Sequence, residues 1–180
     1  MSRIHIVESA TASPEQSALL DGIQAQLGMV PNFLKVFANS PVALKAFLGL
    51  YGVAGAGELA ALDRERIALA LAQQNGCQYC VSAHTAIGRK TGLSSDEIAA
   101  ARAGTSDDPT SASILKFARS LMEKHGDVSA LELAEIRSAG ISEAQIVEII
   151  THVGMNFLTN ILGKASLVDI DFPTVKLDLA

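Results

Sequence analysis

The two cysteines of the chain lie three residues apart, in a stretch that also holds a histidine. Residues 75–84 read Asn-Gly-Cys-Gln-Tyr-Cys-Val-Ser-Ala-His. On a helix that begins near Cys77, the side chains of Cys77, Cys80 and His84 share one face, because residues three and four apart are neighbours there. A helix N-terminus and a nearby imidazole both favour the thiolate form of a cysteine. The stretch therefore predicts a thiol redox centre.

Glu65 is predicted to join this centre from the preceding helix. The apolar run 67–72 indicates that helix, with Asp63 as a candidate N-cap and Gly76 as a candidate left-handed residue at its end. In an antiparallel hairpin, Glu65 and His84 lie about 16 and about 12 Å from the turn, at roughly 1.5 Å per residue. We therefore expect a redox hairpin over about 63–92 in which Glu65 and His84 face each other.

Two other interpretations fit the same residues. Cys77, Cys80, His84 and Glu65 formally supply four zinc ligands, although structural zinc sites usually pair two separated chelating loops. The cysteines could also be ordinary buried core residues, since free cysteine is commonly buried. Redox chemistry is the favoured interpretation, and we predict neither a metal nor a cofactor.

The remaining candidate residues carry weaker signals. Tyr79, between the cysteines, either donates a hydrogen bond or forms a wall of the substrate pocket, and we favour the wall. His5, His125 and His152 have no comparable partners nearby in the sequence. Only His152 could reach the site, if a second helical hairpin packs there.

The composition favours a helical protein that associates with copies of itself. Of 180 residues, 49% are hydrophobic, 4% aromatic and 18% charged, with a formal net charge of -5. With so few charged residues, part of the surface must be apolar, and we expect other subunits to cover it. There is no basic stripe for nucleic acid or an anionic membrane, no signal-peptide pattern, and no apolar run near the ~18 to 20 residues that span a bilayer. We expect a cytoplasmic protein that binds neither nucleic acid nor membranes.

Helical periodicity without two-residue alternation predicts an all-α fold. Capping-box patterns begin at four serines, Ser13, Ser94, Ser129 and Ser142. A weak internal repeat aligns residues 62–67 with 141–146, a shift of 79, and predicts a possible degenerate second hairpin at about 141–163. The alternative, two helices that share an ordinary apolar pattern, fits equally well.

The residues also resemble a known family. Glu65 followed by the 75–84 string closely resembles the E…C-x-x-C-x-x-x-H signature of alkyl hydroperoxidase D-like proteins in the carboxymuconolactone decarboxylase superfamily. Residues 30–33 (Val-Pro-Asn-Phe), 91–94 and 169–173 (Asp-Ile-Asp-Phe-Pro) resemble its peroxidase-related branch, so the likeness covers most of the chain. One position departs from the pattern, because the best-defined hydroperoxidases carry a histidine where this chain has Tyr79.

The resemblance implies one all-α domain of packed hairpins over residues 1–180, assembled as a homotrimer or homohexamer. It also implies reduction of hydroperoxides, with Cys80 attacking the peroxide oxygen, Cys77 resolving the sulfenic acid, and Glu65 and His84 relaying the proton. A lipoyl protein, thioredoxin or a small thiol would return the disulfide to the dithiol. Decarboxylase members lack the cysteine pair, so lactone decarboxylation is disfavoured.

Two questions stay open at this stage. The helix dipole alone would make Cys77 the nucleophile, whereas the four-residue spacing from Cys80 to His84 and the family pattern favour Cys80, which we prefer. The alternative to an enzyme is a zinc-binding or redox-responsive oligomeric interaction protein without peroxidase turnover.

Overall fold

Local hydrogen bonds set most of the helix starts in the computed structural model, which describes residues 2–178. In a capping box the cap side chain accepts from the backbone N–H three residues on, and that residue's side chain accepts from the cap's N–H. All four predicted boxes form, at Ser13, Ser94, Ser129 and Ser142. Ser40 and Asp108 cap two further helices, each ahead of a proline.

The predicted all-α class is confirmed, since residues 2–178 contain helices and no strand. In chain order the helices of this range are α1 (Pro14–Leu27), α2 (Asn32–Phe37), α3 (Pro41–Ala54), α4 (Ala61–Gln74), α5 (Gln78–Thr91), α6 (Ser95–Ala103), α7 (Pro109–Glu123), α8 (Ala130–Ser138) and α9 (Glu143–Ser166).

Helix α4 is the centre of the fold and packs against α5, α6, α7 and α9. Its residues 66–72 are all buried, so the apolar run that predicted the helix is a core segment. One cluster of buried side chains joins the α4–α5 turn to α1, α2 and α3, and a second joins α4 to α7 and α9. The α4–α5 hairpin is thereby held between two apolar layers.

The predicted second hairpin at about 141–163 is wrong, because α9 runs without interruption from Glu143 to Ser166. In the first hairpin the chain turns at Gly76, which has φ of 66°. The residue 79 positions later is Met155, which is buried in the middle of α9 and continues the helix. By length and composition α9 could span a membrane. Here it packs against α3, α4, α5 and α7 as a core helix.

The predicted N-cap of α4 is also wrong. The helix begins at Ala61 with Ala60 as its cap, and no side chain bonds the free N–H groups there. The Asp63 carboxylate instead accepts from Arg66 at 2.8 Å and from the Ser111 hydroxyl at 2.7 Å. The Asp63 carboxylate is therefore engaged by Arg66, one turn further along α4, and by Ser111 on α7, and does not cap the helix.

The end of the chain, residues 169–178, lies over the hairpin as an extended segment that we call the C-terminal strap. The Asp171 carboxylate accepts from the backbone N–H of Asn32 at 2.6 Å and from the Tyr79 hydroxyl at 2.9 Å. The N–H of Val175 donates to the Ser82 hydroxyl of α5 at 3.0 Å. The strap thus connects the start of α2 to the redox hairpin.

Candidate functional site

The turn of the hairpin places both sulfur atoms at the N-terminus of α5. Asn75 ends α4, Gly76 turns the chain, and Cys77 is the N-cap of α5. The Cys77 sulfur accepts a hydrogen bond from the backbone N–H of Cys80 at 3.3 Å, as a serine side-chain oxygen does at other helix N-caps. This position, at the positive end of the helix dipole, favours negative charge on sulfur.

In the structure Cys77 and Cys80 are joined by a disulfide, and α9 covers it. Both cysteines are buried, with exposures of 1% and 4%. The Sγ of Cys80 lies 3.9 Å from the carbonyl oxygen of Thr159. A Cβ built on Gly163 would come within 2.9 Å of the Cys77 Sγ and 3.4 Å of the Cys80 Sγ. The close approach of α9 therefore depends on a glycine at position 163.

The expected approach of Glu65 to His84 is observed. Glu65 Oε2 and His84 Nδ1 are 2.9 Å apart, and the two side chains are only 12% and 20% exposed. Because a carboxylate only accepts, Nδ1 carries the hydrogen, and in the neutral ring Nε2 then holds the lone pair. Among residues 2–178, neither sulfur forms a hydrogen bond with His84. His84 nevertheless lies one helical turn after Cys80 on α5, and residues four apart are neighbours on a helix.

A cavity of about 420 Å³ opens beside this pair, and we call it the site cavity. Its walls are the C-terminal end of α3 and one face each of α4, α5 and α9. The residues that supply these faces are Tyr51, Gly52, Gly55 and Ala56, then Ala61, Arg64, Glu65 and Ala68, then His84, Ile87 and Thr91, and finally His152, Met155 and Asn156.

His152 lies on α9 and lines the cavity. The sequence predicted this approach only if a second hairpin formed, and the single helix α9 achieves it instead. His152 is 4% exposed, its ring bonds to the backbone of Ala54, and among residues 2–178 its Nε2 has no hydrogen-bond partner. Burial lowers the pKa of His152, so the ring stays neutral to a lower pH than usual. Two histidines therefore face one cavity, and only His84 has a carboxylate partner.

Sequence reasoning missed Arg64 and Tyr51, which also line the cavity. A signal for Arg64 was present, because residues 61, 64, 65 and 68 have the spacing of one helical face and Glu65 was already a candidate. Tyr51 had no such signal, since its approach depends on how α3 packs.

Tyr79 is not among the residues that line the site cavity, and its contacts are with other parts of the chain. The ring stacks on Phe33 with centroids 5.8 Å apart and meets Phe172 edge-on. Its hydroxyl donates to Asp171 and accepts from the N–H of Phe33 at 3.3 Å. Burial, with the Asp171 carboxylate, raises the pKa of Tyr79 far above its usual value. The tyrosine anchors the C-terminal strap.

The four candidate zinc ligands do not converge on one point. Cys77 bonds to Cys80, and Glu65 bonds to His84. Within residues 2–178 no group of three or more His, Cys, Asp and Glu side chains is arranged to hold a metal ion. The arrangement suits a two-electron oxidation or reduction of the cysteine pair, with the Glu65–His84 pair nearby to transfer a proton.

Known proteins resemble this chain in sequence and in fold. Residues 41–123 match the Carboxymuconolactone decarboxylase family. An uncharacterised peroxidase-related protein from Silicibacter sp. TM1040 is 25% identical with a TM-score of 0.83, over 93% of this chain and 91% of that one. An alkylhydroperoxidase AhpD core protein, also peroxidase-related, from Ralstonia eutropha JMP134 is 24% identical with a TM-score of 0.83, over 94% and 92%.

A third solved structure has the same fold but is named for a different activity. The debrominase Bmp8, solved as a variant in complex with 2,3,4-tribromopyrrole, is 21% identical with a TM-score of 0.77, over 93% of this chain and 91% of that one. No curated protein sequence matches the chain. The comparisons confirm the resemblance, while the fold by itself does not decide the reaction.

Proposed function

We propose that this chain, a member of the peroxidase-related branch of the carboxymuconolactone decarboxylase superfamily, is a thiol-dependent peroxidase. The observation that carries the proposal is the Glu65–His84 pair, which lies one helical turn from the Cys77–Cys80 disulfide and lines the site cavity. His84 links the two parts of the site, because it lines the cavity and lies one helical turn from Cys80, while the two sulfurs are buried beside the cavity and do not line it. The same-fold debrominase carries a different activity, so the proposal depends on these residues and not on the fold.

The first step takes place at Cys80 in the reduced protein. His84 accepts the thiol proton, and the thiolate attacks the terminal oxygen of the hydroperoxide. The O–O bond breaks, Cys80 becomes a sulfenic acid, and the leaving alkoxide takes the proton from His84 and departs as an alcohol. Glu65 accepts the Nδ1 hydrogen of His84 and so holds the ring in place. Sulfur is oxidised by two electrons, and the peroxide is reduced by two.

The second step joins the two cysteines. The Cys77 sulfur attacks the sulfur of the sulfenic acid, and the hydroxyl group leaves as water with the Cys77 proton. The product is the disulfide present in the structure. An external thiol then reduces this disulfide by exchange, and a lipoyl protein, thioredoxin or a small thiol has the required chemistry.

The proton relay proposed here has two members. The hydroxyl of Tyr79, at the position of the family's histidine, is committed to Asp171 on the far side of α5. Glu65 and His84 therefore carry the proton chemistry between them.

Single-turnover oxidation tests the proposal. The reduced protein is mixed with one equivalent of an organic hydroperoxide, and we expect one equivalent of alcohol and a loss of two hydrogens by mass spectrometry. Steady-state turnover with a lipoyl protein, thioredoxin or dithiothreitol then identifies the reductant. Zinc that survives dialysis at one equivalent would favour the zinc-binding alternative, and disulfide formation without turnover would favour a redox-responsive interaction protein.

The surface of α9 supports the proposed assembly into a homotrimer or homohexamer. Large apolar side chains lie exposed along it at helical spacing, from 43% exposed at Phe157 to 61% at Val147, namely Val147, Ile150, Phe157, Leu158 and Ile161. Such a stripe is usually covered in an oligomer. A cytoplasmic location, where thiols stay reduced, suits the dithiol chemistry. Light scattering tests the assembly, and a monomer at micromolar concentration would contradict it.

A further inference from the structure

The site cavity holds a cation that the peroxidase mechanism does not use. Arg64 lies beside Glu65 on α4 and donates from one terminal nitrogen to the carbonyl of Leu59 at 2.7 Å. Within residues 2–178, no carboxylate forms an ion pair with it. Its neighbour Glu65 is engaged with His84. Arg64 is therefore available to a charged ligand.

The charge of Arg64 acts across the cavity. Burial and the Glu65 carboxylate raise the pKa of Tyr51 on α3, and the Arg64 charge opposes that rise. On α9, burial lowers the pKa of His152, and the same guanidinium lowers it further. Because His152 stays neutral to a lower pH than usual, it does not substitute for Arg64 as a cation near neutral pH.

The size and lining of the cavity point to an organic substrate. Its volume of about 420 Å³ falls within the roughly 300 to 1,000 Å³ of pockets for organic ligands, whereas a water-sized molecule needs only about 30 Å³. Ala61, Ala68, Ile87 and Met155 supply apolar walls. The cavity thus offers an apolar surface, one available cation and the Glu65–His84 pair.

We propose that the site cavity selects organic hydroperoxides that carry a carboxylate, and that Arg64 binds this carboxylate. The proposal rests on the peroxidase function proposed above and names its substrate class. A guanidinium presents a planar fork of N–H donors that matches a carboxylate, and within residues 2–178 only one nitrogen of the Arg64 fork, bonded to Leu59, has a partner. With the carboxylate at Arg64, the apolar body lies against the alanine and Met155 walls, and the hydroperoxide group meets His84.

Two matched substrates test this assignment, cumene hydroperoxide and its para-carboxylate derivative. The rate constant for single-turnover oxidation of the reduced protein is measured with each. We expect the carboxylate to react at least about tenfold faster, since a hydrogen bond to a charged group contributes roughly 10- to 150-fold. In Arg64→Gln the ratio of the two rate constants should fall close to one, and Arg64→Lys should restore part of it.

Arg89→Gln is the matched control, because Arg89 is exposed in the last turn of α5 and lies outside the cavity. It removes the same charge and should keep the wild-type ratio. Equal rate constants for the two peroxides in the wild-type protein, or an equal loss of preference in both variants, overturn the assignment. Failure of the wild-type protein to consume either peroxide overturns the peroxidase function instead.

Binding of a stable product keeps the substrate assignment testable without turnover. The alcohol formed from the para-carboxylate peroxide is titrated into the oxidised protein by calorimetry. We expect binding that weakens at least about tenfold in Arg64→Gln and persists in Arg89→Gln. Binding that is absent, or equal in the wild-type protein and Arg64→Gln, overturns the assignment.

Discussion

The hairpin side and the α9 side of the site cavity each contribute one histidine, in different states. His84 on α5 is partly exposed and bonds to the Glu65 carboxylate at 2.9 Å. His152 on α9 is buried, has an unpartnered Nε2, and has a pKa that burial lowers. Burial disfavours the charged form of His152. Among residues 2–178, the only cavity histidine with a carboxylate partner is on the hairpin side, and the proposed mechanism assigns the proton transfer to that side.

The largest expected effect separates the two cysteines of the hairpin. Cys80→Ser should abolish peroxide reduction, because the attacking sulfur is gone. Cys77→Ser should still allow one attack and leave a sulfenic acid at Cys80. Trapping with a sulfenic-acid probe and peptide mapping measures this. Labelling of Cys77 in Cys80→Ser, with none in Cys77→Ser, would reverse the order and favour the helix-dipole argument.

The next effect compares the two histidines directly. Glu65→Gln and His84→Ala should slow the first step by about 10²- to 10⁴-fold, as loss of a positioned acid or base typically does. His152→Gln should slow it by less than about tenfold, since His152 has no carboxylate partner among residues 2–178 and burial disfavours its charged form. Stopped-flow oxidation of the reduced variants measures all three. A slower rate for His152→Gln than for His84→Ala would transfer the relay to α9.

Gly163 tests how closely α9 must approach the disulfide. Gly163→Ala places a Cβ 2.9 Å from the Cys77 Sγ, so we expect the oxidised protein to lose about 1 to 3 kcal/mol of its free energy of unfolding. Gly22 in α1 is the control, because nothing lies within 4 Å of a Cβ there. Gly22→Ala should be neutral or gain up to about 1 kcal/mol. Urea unfolding measures both, and equal stabilities would contradict the close contact.

The smallest effect is the pH dependence due to His152. Its pKa is lowered from 6.5 in the folded protein, so below pH 6.5 the unfolded chain binds the proton first. The wild-type protein should therefore lose stability as pH falls through that range, by at most about 1.4 kcal/mol per pH unit. The His152→Gln variant should lose less stability than the wild-type protein over the same pH range. Urea unfolding at pH 7.5 and 5.5 measures this, and parallel losses would contradict it.

Sequence reasoning succeeded where interactions are local. The capping boxes depend on residues three apart, and the Glu65–His84 contact follows from helix geometry around Gly76. It failed where a distant segment decides the outcome. Asp63 bonds to Ser111 on α7 instead of capping α4, and Tyr79 bonds to Asp171 in the strap.

The error over the second hairpin has a different origin. An apolar pattern with helical period does not report where a helix ends, and the repeat carried no turn signal at Met155. His152 and Gly163 were therefore assigned no firm place, although α9 brings one to the cavity and the other to the sulfurs. The Glu65–His84 contact of the hairpin could be predicted from the sequence, and the surface of α9 that closes over the hairpin could not.

The C-terminal strap also bears on how the protein is synthesised. Asp171 follows Tyr79 by 92 residues and Asn32 by 139. Contacts between residues so far apart in sequence form late in folding, because the entropic cost of closing the loop between them must be met first. On the ribosome, the hairpin and its cysteines therefore emerge well before the carboxylate that anchors Tyr79. Until Asp171 has left the exit tunnel, the nascent chain lacks its anchor between α2 and α5.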